Sequence, residues 1–71
     1  MELHKRIRIW RQHYGKSHAQ IADYIGVTRS AVVQWEMDEG TQPSHEKLSA
    51  FVESLGISMA QFYGPLPGKA S

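Results

Sequence analysis

Apolar residues recur along this chain at helical spacing, in five short blocks set apart by glycine, proline and hydroxyl residues. Leu3, Ile7, Trp10 and Tyr14 stand at i, i+4, i+7 and i+11, which predicts a first helix over 2–14 with one apolar face. Gly15 ends it. Ser17 followed by Gln20 is the capping-box pattern, in which each side chain satisfies an amide that a helix start leaves without a partner. The second helix then carries Ile21, Ala22 and Ile25 on its apolar side and stops at Gly26, the residue type that takes a left-handed turn most readily. Beyond Val27, Thr28 is the expected N-cap of a third helix running through Trp35 or Glu36. Met37 to Pro43 holds Asp, Gly, Thr and Pro and reads as a loop. Ser44 caps a fourth helix whose Leu48, Phe51, Val52 and Leu55 share a face, and Gly56 stops it. Ser58 and Gln61 repeat the capping box for a short last helix through Tyr63. Gly64, Pro65, Pro67 and Gly68 cannot continue it, so 65–71 reads as a flexible tail behind a single domain over 1–64. No stretch alternates long enough for a strand, and the expected class is all-α.

Length and composition narrow the function classes. The 71 residues leave room for one domain, and a domain this small buries only about 60% of its unfolded surface. Cysteine is absent, which excludes a disulfide framework, a thiolate zinc site and a cysteine nucleophile. No apolar run approaches the roughly 20 residues that span a bilayer, and Met1 to Trp10 lacks the apolar stretch of a secretory signal. A soluble, cytoplasmic chain with no membrane partner is therefore expected. The net charge of +1 conceals an asymmetry. Residues 1–30 carry Lys5, Arg6, Arg8, Arg11, Lys16 and Arg29 against Glu2 and Asp23, a balance of +4. Residues 31–71 carry Lys47 and Lys69 against Glu36, Asp38, Glu39, Glu46 and Glu53, a balance of −3. A basic end is where contact with nucleic acid or a membrane surface is to be sought.

Catalytic and metal chemistry find no constellation. His4, His13, His18 and His45 do not pair at i, i+4 spacing with one another or with a suitable glutamate. Asp38 and Glu39 are neighbours in one loop rather than a facing pair. Ser17, Ser44 and Ser58 are each accounted for as helix caps. Nothing resembles a phosphate-cradling loop, so no cofactor, no metal and no catalytic residue is expected.

The informative stretch is Ser17 to Glu36. Two short helices meet at a tight turn on Gly26, with Val27 placed to plug the angle between them, which is the spacing of a helix-turn-helix. At about 100° per residue, with Arg29 set at zero, Thr28, Ala31, Val32 and Trp35 fall between about 200° and 300° and are expected to face the core. Arg29, Ser30, Val33, Gln34 and Met37 fall between about 0° and 140°. Arginine donates twice to guanine, glutamine pairs with adenine, and an apolar group meets the thymine methyl. An ordinary solvent face would give Val33 no packing benefit, and this face carries no acid before Glu36. Its chemistry is that of a helix reading base edges in a major groove.

The same stretch resembles the helix-turn-helix of the lambda-repressor-like, Cro-like and XRE-type regulators. The resemblance rests on Ile21-Ala22-Asp23-Tyr24-Ile25-Gly26-Val27-Thr28-Arg29-Ser30 and the following Trp35-Glu36. It extends to Trp10-Arg11, Pro43-Ser44, the Leu48 to Leu55 helix and Leu55-Gly56-Ile57-Ser58, covering roughly 3–63. It implies a compact five-helix DNA-binding domain that acts as a two-fold homodimer on a palindromic operator in double-stranded DNA. It places base reading on Arg29, Ser30 and Gln34, with Val33 nearby. Ser17 and His18 would hold a phosphate, Arg11 would pair with Glu36, and Thr41, Gln42 and Ser44 would reach the flanking backbone. Arg11 and Lys16 are added as backbone contacts.

Two features depart from the family pattern. His18 stands where glutamine is common; imidazolium donates two hydrogen bonds and imidazole one, so DNA affinity is expected to rise in acid solution. The loop Met37-Asp38-Glu39-Gly40 is acidic, and is expected to point away from phosphates or to meet a partner. Ile57, Met59, Phe62 and Tyr63 are more apolar than a terminal helix needs. They either close the small core or form a dimer interface, and in the second case Phe62→Glu gives a folded monomer. The resulting reading is a sequence-specific transcriptional repressor without enzymatic activity. The alternative is an antitoxin or adaptor module whose main partner is another protein.

Overall fold

Residues 2–67 are described by the computed structural model. Five helices follow one another: α1 (Leu3–His13), α2 (His18–Ile25), α3 (Arg29–Trp35), α4 (His45–Leu55) and α5 (Met59–Tyr63). No strand occurs among the described residues. Four of the five starts are set by a hydroxyl. Ser17 accepts from the Gln20 amide at 3.0 Å, Thr28 from Ala31 at 3.2 Å, Ser44 from Lys47 at 3.2 Å and Ser58 from Gln61 at 3.0 Å. Ser17 and Ser58 complete the capping box, because the glutamine side chains accept from their amides in return. Gly26 and Gly56 end α2 and α4 in the left-handed conformation.

The core is drawn from every helix. Ile7 and Trp10 come from α1, Ile21 and Ala22 from α2, Val32 and Trp35 from α3, and Leu48, Phe51, Val52 and Leu55 from α4. Ile57 and Phe62 complete it. Leu3, Ile25, Val27 and Met59 pack around its edge. Helix α2 lies against α3 and α4, and α4 against α5. Helices α1 and α5 are joined by hydrogen bonds to carbonyls that the end of α5 would otherwise leave open. Trp10 Nε1 donates to the Phe62 carbonyl at 3.1 Å, and Arg6 Nη1 donates to the carbonyls of Phe62 and Gly64 at 2.8 and 2.9 Å.

Three expectations need correction. Tyr14 is not the last residue of the buried stripe: it caps α1 and remains exposed, its ring stacked on Trp10 at 6.1 Å between centroids. Thr28 does not face the core, because its hydroxyl caps α3 from outside and the residue is exposed. Ile57 and Phe62 are not an interface. Phe62 has no exposed surface and packs edge-on against Phe51, so Phe62→Glu would place a carboxylate in the core and unfold the domain rather than free a monomer. Of the four apolar residues assigned to that surface, Tyr63 is exposed and Met59 half-buried. Of the tail expected over 65–71, residues 68–71 lie outside the described residues.

Candidate nucleic-acid interface

Helix α3 is held from behind and open in front. Val32 and Trp35 are buried against the core, while Arg29, Ser30 and Gln34 are exposed, Val33 is half-buried and Met37 is 49% exposed. The turn that aims α3 runs through Gly26 at φ 88°, with Val27 packed beneath it. The amides of Gly26 and Val27 both donate to the Ala22 carbonyl, at 2.8 and 3.0 Å, which closes the end of α2 and sends the chain into α3.

Glu36 fixes the far end of α3. Its side chain is only 6% exposed, and burying a carboxylate is costly unless it is paired and hydrogen-bonded. The pairing is a bidentate fork from α1: Arg11 Nε donates to Oε2 at 2.5 Å and Nη2 to Oε1 at 3.0 Å. His18 Nε2, at the start of α2, lies 3.2 Å from Oε1. Arg8 Nη2 donates to the Glu36 carbonyl at 3.3 Å, and its Nε lies 3.9 Å from the carboxylate. One side chain thus ties α1, α2 and α3 together. Among the described residues no buried side-chain nitrogen or oxygen lacks a partner.

This geometry changes some of the assigned roles. Arg11 is corrected as a DNA-backbone contact. Its side chain is 11% exposed and its third hydrogen bond, from Nη1, goes to the Lys16 carbonyl at 2.8 Å, so its fork is turned inward. Arg8 was given no role by the sequence, although it sits three residues before Arg11 on one helix face, and that spacing was the signal available. Arg6 was missed likewise, and its i, i+4 relation to Trp10 marks the pair that grips α5. Two of the three arginines in α1 therefore bind Glu36 and the third binds α5. Three of the six cations in the N-terminal half are thus engaged within the fold.

The remaining candidates differ in exposure. Ser17, Thr41, Gln42 and Ser44 are exposed, and Lys16 and His18 are half-buried. The hydroxyls of Ser17 and Ser44 accept from amides of their own helices, which leaves their protons to donate outward. His18 turns Nε2 toward Glu36, so Nδ1 is the ring nitrogen left for another partner. In the acidic loop, Asp38 Oδ1 lies 3.8 Å from His4 Nε2, beside α1. No group of three metal-ligating side chains gathers among the described residues.

The sequence profile of a helix-turn-helix family matches residues 7–62. The fold is similar to that of the P22 c2 repressor in complex with synthetic operator 9T. The two chains share 31% identity at a TM-score of 0.74, over 96% of this chain and 97% of that one. It is also similar to the N-terminal DNA-binding domain of SinR from Bacillus subtilis, with 25% identity and a TM-score of 0.72 over 89% of this chain and 91% of that one. A chain of the SinR protein/SinI protein complex matches at 26% identity and a TM-score of 0.73, over 87% of this chain and 60% of that one. No curated protein matches the chain by sequence.

Proposed function

The chain belongs to the lambda-repressor-like, XRE-type helix-turn-helix family and is a DNA-binding transcription regulator, and from that premise we propose a sequence-specific repressor that binds a palindromic operator as a homodimer. The observation that carries this reading is the open face of α3. It presents a guanidinium, a hydroxyl and an amide from Arg29, Ser30 and Gln34, with half-buried Val33 among them, on a helix whose other side is anchored by Val32 and Trp35. These are groups that discriminate base pairs in the major groove. Lys16, Ser17, His18, Thr41, Gln42 and Ser44 hold phosphates around that helix, and Arg11 with Glu36 positions it. Few cations are left for phosphates, so the salt dependence of binding is shallow.

His18 is tested by substitution. With Nε2 turned toward Glu36, Nδ1 is the ring nitrogen left for a phosphate. His18→Ala should weaken binding to one operator, and an unchanged affinity in the folded variant would remove His18 from the contact.

Selection from a random duplex library at physiological salt tests the function. Enrichment of an inverted repeat with half-sites about one helical turn apart is the expected result. Weak, salt-sensitive binding with no enriched site would overturn it. The similarity to a chain of the SinR protein/SinI protein complex favours a second reading, an antitoxin or adaptor module with a protein partner. That reading predicts the failed selection together with a stable complex recovered from cell extract.

A further inference from the structure

The loop that follows α3 folds back onto the helix at the residue assigned to adenine reading. The Met37 amide donates to the Gln34 carbonyl at 3.1 Å, and the Gly40 amide donates to the Met37 carbonyl at 3.1 Å. These two bonds bring Gly40 over Gln34. A Cβ on Gly40 would lie 2.1 Å from the Gln34 carbonyl oxygen, 2.9 Å from its carbonyl carbon and 3.0 Å from Oε1 of its side chain. The first distance is far inside van der Waals contact, and a backbone atom of a packed helix cannot swing away as a side chain would. Gly40 is needed for this approach and not for an unusual φ, since it is not among the residues with positive φ. The loop is also held from the other side, where Arg8 donates to the Glu36 carbonyl and Asp38 lies beside His4.

We propose that Gly40 is a positioning residue for base recognition: its bare backbone forms the surface on which the Gln34 side chain rests, and so sets the pose from which that amide meets a base. This rests on the reading of Gln34 as a base contact. An exposed glutamine has three free torsions and samples many poses; a backbone packed against one side of it removes part of that freedom before binding. Gly40 is then a determinant of specificity without touching a base.

The test is the base-preference profile of the full chain, measured over all single substitutions of the selected operator. Gln34→Ala identifies the base pair that Gln34 reads. Gly40→Ala is expected to lower discrimination at that same base pair by about fivefold or more, the lower end of what one bidentate base contact supplies, with preference at the other positions kept. The double variant should then resemble Gln34→Ala alone. Should Gly40→Ala fail to fold, insertion of one glycine after Glu39 lets the loop lift off Gln34 without adding a side chain, and carries the same expectation. A uniform loss at every position, or an unchanged profile in the folded variant, would overturn the proposal and leave Gly40 a purely structural glycine. An unchanged profile for Gln34→Ala, seen with Gly40 intact, would instead overturn the base-reading assignment on which the proposal stands.

Discussion

Glu36 is an acidic residue that the domain buries and then neutralises, and removing one partner exposes the cost. Arg11→Ala would leave a buried carboxylate with only half-exposed Arg8 and the His18 imidazole beside it. Breaking such a pair costs about 3–5 kcal/mol, which is most of the stability of a domain this size. Urea unfolding of Arg11→Ala should show a loss in that range. Arg11→Lys should recover only part of it, because an ammonium cannot reproduce the two-pronged contact. Arg29 stands at the opposite extreme, exposed at the first position of α3. Arg29→Ala should leave the urea midpoint nearly unchanged and weaken operator binding by about 1–3 kcal/mol, with preference relaxed at one base pair. An equal loss on all sequences would make Arg29 a phosphate contact. The Arg11–Glu36 pairing was legible in the sequence through resemblance alone. The addition of Arg8 and His18 was not, because residues 28 and 18 positions from Glu36 meet it only when three helices pack.

At the scale of elements, α3 has 7 residues, too few to be stable as an isolated helix. It persists because Thr28 caps it, Val32 and Trp35 bury its back, and Glu36 holds its end. The turn before it depends on one backbone conformation. At Gly26 an added Cβ would meet nothing within 4 Å, so the effect of Gly26→Ala is purely the left-handed φ of 88°. That substitution should cost about 1–2 kcal/mol without moving α3, and thermal unfolding with an unaltered operator preference is the check. Gly40 presents the reverse case, an ordinary φ in a crowded place. Sequence inspection finds both glycines but cannot tell these roles apart, since crowding is a property of the neighbouring backbone.

For the whole molecule, Phe62 and Ile57 show how little core a small domain has to spare. Helix α5 has 5 residues, and it is kept in place by Phe62 against Phe51 and by the Arg6 and Trp10 hydrogen bonds to its carbonyls. Phe62→Ala should cost about 3–5 kcal/mol, the range for truncating a buried aromatic, and Phe62→Glu should abolish cooperative unfolding. Tyr63, 56% exposed on the same short helix, is the residue left to test self-association. Tyr63→Glu should fold like the parent and, in the proposed homodimer, lower the association constant; an unchanged sedimentation profile with unchanged operator affinity would exclude α5 from the interface.

Helix number and boundaries, the capping hydroxyls and the turn at Gly26 were determined by the sequence alone. Each is signalled by residues three or four positions apart, although a helix as short as α3, with 7 residues, persists only through its packing. Tertiary structure decided which polar and apolar groups are withdrawn from solvent. It turned Arg11 inward, drew Arg8 and His18 to Glu36, and moved Phe62 from a supposed interface into the core. It also brought Gly40 onto Gln34. Burial follows from which distant segments share one small core, and for Trp10 and Phe62 those segments are 52 residues apart. The spacing of residues along a chain carries no measure of that proximity.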